Sequence, residues 1–499
     1  MKDTVGMNTN KVVQFLGKPA EEFTKQDIIK FIKANNIEMM NFRYMGGDGR
    51  LKTLNFVITN EAELDRLLSM GERVDGSSLL SYIDAASSDL YVIPRYKTAY
   101  VNPFSFVPTV DILCSYYTNE GVRLPSSPEN IVRKAQQVLK GNTGLTLEAM
   151  GEVEYYVSCE RQQLYPAMAQ KGYHESAPFS KWEELRCEAM RAIAQAGGKI
   201  KYGHSEVGNI REGDSEMEQH EIEFLPVPIE DAADQVVIAK WILRMIGYRH
   251  AVTISFAPKI SIGHAGNGLH VHTRLVKDDK NMMIEESQLS DIAKKAIAGY
   301  LTLAPSLTAF GNTVPTSYLR LVPHQEAPTN ICWGDRNRSV LVRVPLGWLN
   351  VTNMASDANS EDKENSSEFM NNQTVEFRCP DGSANIHFLL AGLAVAARHG
   401  LEMEGALDLA RKLYVDVNIF SLDQSDVRER LPQLPSSCWE SSETLLRDCE
   451  VYQRDGVFPP MVIHGIVERL KSYNDKGLNE RLHGNESEIR KLVNEYLYC

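Results

Sequence analysis

Three short stretches set ionisable side chains two residues apart around an apolar one: Glu152 and Glu154 about Val153, His270 and His272 about Val271, and Glu376 and Arg378 about Phe377. In an extended strand, residues i and i+2 project from the same face, so each pair can present both groups to one place. Glu221 and Glu223 about Ile222 are a weaker fourth case. Any single pair also fits the solvated outer face of an antiparallel strand. Taken together, strands carrying carboxylate, imidazole and guanidinium fit better as walls of one polar cavity whose opposite charges offset one another.

Several glutamates with one or two histidines suit magnesium or manganese. Zinc is the second choice, because an isolated HxH can serve it, but no cysteine ligands accompany the carboxylates. Arginines complete the set: Arg320 in RLVPHQEAP, and Arg336, Arg338 and Arg343 in RNRSVLVRVP. A guanidinium binds phosphate or carboxylate through two parallel hydrogen bonds. Metals and arginines together are what phosphoryl transfer needs, since its transition state spreads negative charge over several oxygens. No Walker-type glycine loop is present, and GHAGNGLHVH read alone fits an ordinary tight turn.

Elements must hold these residues. Thr24 to Asp27 reads as a capping box ahead of DIIKFIKANN, and MMNFRYM and LKTLNFVI flank the turn residues Gly46 to Gly49. A helix, a hairpin and the strand-like YVIPRYKTAYVNPF predict a small α+β domain over residues 1–108. The remainder, 109–499, alternates helical stretches such as PENIVRKAQQVLKG and PIEDAADQVVIAKWILRMIGYRH with short charged strands, and forms the larger domain. Gly208 to Glu218 and Ala355 to Asn372 read as surface loops, with Glu216 and Glu218 solvated.

The bulk properties agree. A chain of 499 residues exceeds one ordinary core, and 43% apolar with 24% charged residues supports folded domains. A net charge of -13 argues against a nucleic-acid or membrane-surface role, which would need a basic face. The eight cysteines are scattered without a CxxC pair, as in reduced proteins. The amino terminus lacks a secretory apolar run, and FLLAGLAVAA is too short to span a bilayer. A cytoplasmic protein is therefore expected.

In order and content, VDGSSL, GEVEYY, EVG…QHEIEF, NGLHVH, RLVPHQEAP, RNRS and VEFRCPDGSAN resemble the glutamine synthetase family over most of the chain. That resemblance implies a β-grasp amino-terminal domain and a catalytic domain with a curved antiparallel sheet flanked by helices. It also implies a homo-oligomer of stacked rings, commonly a dodecamer, with active sites shared between subunits. The implied activity is ATP-dependent joining of ammonium to glutamate through a γ-glutamyl phosphate, with two Mg2+ or Mn2+ ions per site. Glu154, Glu206 and Glu221 would hold one metal, and Glu152, His270 and Glu376 the other. Gly266, His270, Arg320 and Arg378 would serve glutamate, and His272, Arg338 and Arg343 would serve ATP. Asp75, Ser78, Tyr173 and Glu326 would enclose ammonium, with Asp75 arriving from the adjacent subunit, Glu326 on a closing flap, and Asp75, Glu326 and Arg338 as the catalytic groups.

Departures from the family pattern are Ala265 for asparagine, Lys201 for a nucleotide-side glutamate, Thr374 for arginine and Arg274 for serine. They bear on the nucleotide-base pocket and the glutamate loop. Tyr414 lies near a position nucleotidylated in some bacterial relatives, but its surroundings match poorly and it reads as structural. A γ-glutamyl-amine (polyamine) ligase of the same fold is the alternative enzyme, and a non-catalytic structural descendant is the alternative outside catalysis.

Overall fold

The structure, a computed structural model, describes residues 3–84, 88–322, 327–347, 354–359, 361, 372–421 and 424–499. Thr24 caps the first helix named here, α1 (Lys25–Ala34), through the expected box with Asp27. Strands β1 (Met39–Met45) and β2 (Leu51–Val57) then form the expected antiparallel hairpin. Helix α2 (Glu61–Met70) leads to β3 (Glu72–Asp75), the short helix α3 (Gly76–Leu79) and β4 (Asp89–Pro94).

The small sheet runs in the order β2-β1-β5-β4-β3, where β5 is Thr109–Tyr117. Its central strand therefore lies beyond residue 108, and the small sheet extends further along the chain than the sequence predicts. The proline-containing turn before Thr109 mimics a domain boundary, but β5 is buried along nearly its whole length and pairs in parallel with β1. β3 is left at the sheet's edge.

Pro128 opens α4 (Pro128–Thr143) and left-handed Gly144 closes it. The larger sheet is built from β6 (Thr146–Glu160), β7 (Ile200–Glu212), β8 (Ser215–Phe224), β9 (Leu269–Lys277), β10 (Trp333–Asp335), β11 (Val342–Val344) and β12 (Val375–Phe377), in the order β10-β11-β12-β9-β6-β8-β7. Every pair along this path is antiparallel except β10 with β11. Helices α5 (Glu183–Gln195), α6 (Ile229–Arg249), α7 (Asp291–Gly311) and α8 (Ile386–Glu402) pack with it around one large apolar core.

Residues 208–218 are not a loop. They finish β7 and begin β8, joined by a turn at Gly213. Their polarity misleads because this hairpin buries its charges in pairs: Glu216 with Lys181 and Arg211, and Glu218 with Ser180 and His220. Glu216 and Glu218 are both buried, against the solvated reading. Most of the other expected loop, 355–372, lies outside the described residues. The apolar stretch around FLLAGLAVAA becomes α8, buried on nearly every side, and no described helix is long and apolar enough to cross a membrane.

The two sheets are tied by a fork of hydrogen bonds. Arg95, following β4, donates to both oxygens of Asp234 on α6 at 2.7 and 3.0 Å, and Lys97 reaches Asp231 at 2.5 Å.

Candidate active site

Strand register draws the charged pairs into rows. Across β6, β8 and β9, His270 lies opposite Glu152, Glu152 opposite Glu223, and Glu154 opposite Glu221. Beyond β9, His272 faces Glu376 on β12, which faces Arg343 on β11; beyond β8, His204 on β7 faces Glu221. Residues directly opposite in antiparallel strands share a face, so one surface of the sheet carries all of them.

The side chains meet. His270 Nδ1 is 2.9 Å from Glu152 and 3.8 Å from Glu376, and His272 Nε2 is 2.8 Å from the other oxygen of Glu152. Glu152, His270 and Glu376 thus bring ligand atoms together as expected for one metal. Of the other expected trio, Glu154 and Glu221 converge with His270, while Glu206 and Glu221 converge with His204. The remaining cluster joins Glu152, Glu223 and His272.

Charge is unevenly offset on this face. Burial opposes ionisation of Glu152, yet His272 and His270 hold its carboxyl well below the ordinary range. Burial likewise opposes ionisation of Glu376, and Glu152 pushes the same way, but Arg378 together with His272 and His270 holds its carboxyl below the ordinary value. Arg378 Nε and Arg343 Nη1 lie 3.0 and 2.8 Å from its oxygens. Glu221 has only the His204 imidazole beside it at 3.1 Å among the described residues, and burial, then the carboxylates of Glu152, Glu154, Glu206 and Glu223, push it far above the usual value. A buried group facing four like charges calls for a cation, and this donor set of carboxylates and imidazoles fits hard or borderline divalent ions.

The remaining predicted residues fall at several distances from that face. Buried Arg320 directs Nη1 to the carbonyls of Cys379 and Pro380 at 2.8 and 3.3 Å. The glycine loop packs on it: a Cβ on Gly268 would fall 2.7 Å from Arg320 and 2.9 Å from His270, and one on Gly266 would strike the Pro258 carbonyl. At Gly266 the obstacle is backbone, so glycine is required where this chain passes the site. Exposed Arg338 receives Arg378 on its carbonyl oxygen. Tyr173 is exposed, stacks on His174 and meets the His204 ring edgewise at 5.4 Å.

Asp75 and Ser78 stand apart, on exposed positions at the small sheet's edge. Ser78 donates to Asp75 at 2.6 Å and Ser77 donates through both its hydroxyl and its amide. These bonds, Ser78 first, hold the carboxyl down at about 2. Glu326 lies outside the described residues.

Two sequence profiles settle the family. Residues 125–489 match "Glutamine synthetase, catalytic domain" and residues 36–119 match "Glutamine synthetase, beta-Grasp domain". The chain belongs to the glutamine synthetase family. Among curated relatives, the Glutamine synthetase of Mycolicibacterium smegmatis is 29% identical over 88% of this chain and 92% of its own. That of Clostridium saccharobutylicum is also 29% identical, over 84% and 88%. Among solved structures, Plasmodium falciparum glutamine synthetase superposes with a TM-score of 0.74 at 18% identity, over 93% of this chain and 100% of its own. Ligand-free GmaS superposes at 0.70 and 17%, over 93% and 100%. At those identities the superpositions establish the fold.

Within this glutamine synthetase framework, the departures have partners. Arg274 pairs with Glu148 at 2.7 Å, Thr374 bonds His272 Nδ1 at 2.9 Å, and the Ala265 carbonyl accepts from Tyr156 at 2.8 Å. Lys201 pairs with Glu223 at 2.6 Å. Tyr414 leans edgewise on Trp333 at 4.9 Å, consistent with packing. His204 is missing from the sequence-based ligand set. It stands two residues from Glu206, the same spacing used elsewhere, but polar Ser205 between them hides the pattern. Glu223 is singled out there only as a weak pair.

Proposed function

We propose that the protein is a glutamate–ammonia ligase that makes glutamine from glutamate, ammonium and ATP through a γ-glutamyl phosphate. The observation that carries this reading is the single sheet face on which Glu152, Glu154, Glu221, His270 and Glu376 converge beside Arg343 and Arg378. A carboxylate is a poor electrophile; phosphorylating it gives ammonia a carbonyl with a leaving group. Two Mg2+ or Mn2+ ions, held by the trios Glu154, Glu206, Glu221 and Glu152, His270, Glu376, would neutralise phosphate and carboxylate charge when bound. Arg343 and Arg338 would orient the phosphates, with His272 near them, and Arg320 and Arg378 the substrate glutamate beside Gly266.

Asp75, kept ionised by its serines, would bind ammonium from a neighbouring subunit with Ser78 and Tyr173, and Glu326 would take its proton. A cage with two carboxylates favours a compact cation with N–H bonds on every side over a long alkylamine. The competing reading, a γ-glutamyl-amine ligase, is separated by one assay. Ammonium and a panel of amines compete at equal free-base concentration with ATP and glutamate, and the products are resolved by mass. Glutamine is expected to dominate, and Asp75→Ala to raise KM for ammonium more than KM for glutamate. A predominant γ-glutamylamine would overturn the ammonium reading.

A further inference from the structure

The remaining donor cluster on the sheet face, Glu152, Glu223 and His272, has ligand atoms within 4.8 Å of one another and no metal assigned to it above. Glu223 is buried to within 1% of its surface. A buried carboxylate next to another needs positive charge close by. One side chain supplies it: Lys201 Nζ lies 2.6 Å from Glu223 Oε1, and 5.0 Å from the centroid of the Tyr202 ring.

Local backbone geometry makes this contact. β7 and β8 pair Ile200 with Phe224 and then Tyr202 with Glu223, so Lys201 is the extra residue of a bulge. A bulge re-aims one side chain relative to regular alternation and adds local twist. Here it puts a lysine on the same carboxylate that its neighbour Tyr202 faces. The lysine stem reaches in from a partly solvated position, its side chain 40% exposed, while the Glu223 side chain is 2% exposed. A divalent ion entering this cluster would have to displace the ammonium or share the carboxylate with a like charge.

We propose that the Lys201 ammonium is the resident cation of the Glu152, Glu223 and His272 cluster, so that this face takes one divalent ion fewer than its donors could hold. The inference rests on the functional reading above only for the expected wild-type number, two. Lysine is suited to the role because its charge is compact and its stem flexible. Unlike a metal, it cannot be removed by a chelator.

The test counts Mn2+ bound per subunit to the full-length, metal-stripped protein, titrated to saturation with the free aquo ion followed by electron paramagnetic resonance. Lys201→Gln is expected to bind one more ion than wild type, and Lys201→Met, which keeps the stem without the charge, to do the same. Lys201→Arg is expected to keep the wild-type number, and adding Glu223→Gln to Lys201→Gln to abolish the gain. In crystals of Lys201→Gln, anomalous scattering at the manganese edge should place the extra ion between Glu152, Glu223 and His272. Equal counts for wild type and both neutral variants would overturn the proposal, as would an extra ion that survives loss of Glu223. A wild-type count other than two, with the gain intact, would instead count against the two-metal reading.

Discussion

Glu152 touches both His270 and His272 and takes part in two donor clusters. Replacing it with Gln keeps its shape but removes the charge that both histidines and a metal would use. Glu152→Gln, and equally Glu376→Ala, should reduce ATP- and glutamate-dependent phosphate release by more than about 100-fold. Light scattering should show the particle size unchanged. Glu221 makes a different prediction. Its folded carboxyl is raised, so between its unfolded value near 4.5 and its folded value the native state holds a proton that the unfolded chain has lost. Stability of the metal-free protein should therefore fall as pH rises through that window, by at most about 1.4 kcal/mol per pH unit from this group. Glu221→Gln should flatten that part of the melting-temperature profile, and saturating Mg2+ should do likewise in the wild type. Glu152, held low, contributes in the opposite sense, losing its stabilising part as pH falls below 4.5. Spacing made most of these residues legible in the sequence, because i, i+2 pairs survive translation into strands. His204 and the buried Glu216 and Glu218 were not legible, because burial of a charge depends on partners far along the chain, such as Lys181 and Ser180.

At the scale of elements, helices α7 and α8 cross where Gly299 and Gly400 meet. A Cβ on Gly299 would lie 1.9 Å from the Ala396 carbonyl oxygen, and one on Gly400 would lie 2.0 Å from that of Lys295. Both obstacles are backbone, which cannot swing aside as a side chain would. Gly400→Ala should thus force the helices apart and cost about 1–3 kcal/mol in denaturant unfolding, despite the better helix propensity of alanine. An unchanged or raised midpoint would show that the pair accommodates a methyl. The helices themselves were readable from caps and apolar runs, and the first hairpin from its glycines. The end of the small sheet was not, since pairing of β5 with β1 in parallel is a non-local choice that no turn residue announces. The charged hairpin of β7 and β8 was hidden for a related reason: strand signals rest on apolar alternation, and this one alternates two kinds of polar surroundings.

At the scale of the whole molecule, Asp75 sits exposed at the edge of the small sheet, hydrogen-bonded to Ser77 and Ser78 of its own turn and to Ser88. If its carboxylate completes a neighbour's site, inactive Asp75→Ala and inactive Glu152→Gln subunits should complement one another. A reassembled equimolar mixture should recover about a quarter of wild-type activity, as random head-to-tail pairing leaves one interface in four with both halves intact. Mixed assemblies that contain both variants and remain inactive would place Asp75 outside its neighbour's site.

The buried charges behind the ligand hairpin have a consequence for how fast the site can be filled. Arg186 lies 2.7 Å from His220 Nδ1, leaving Nε2 to face Glu218 at 3.0 Å, and Glu218 in turn accepts from Ser180 and the Lys181 amide. Donation from Arg186 leaves Nδ1 as an acceptor, so the imidazole proton is on Nε2, pointing at Glu218. The same arginine bonds Ser205, between His204 and Glu206. The strands that carry His204, Glu206 and Glu221 are therefore braced from behind by bonds that owe nothing to an ion in front. Such a frame does not need an ion to form, so the rate at which it would take up a divalent ion should follow how quickly that ion sheds water rather than how quickly the polypeptide rearranges.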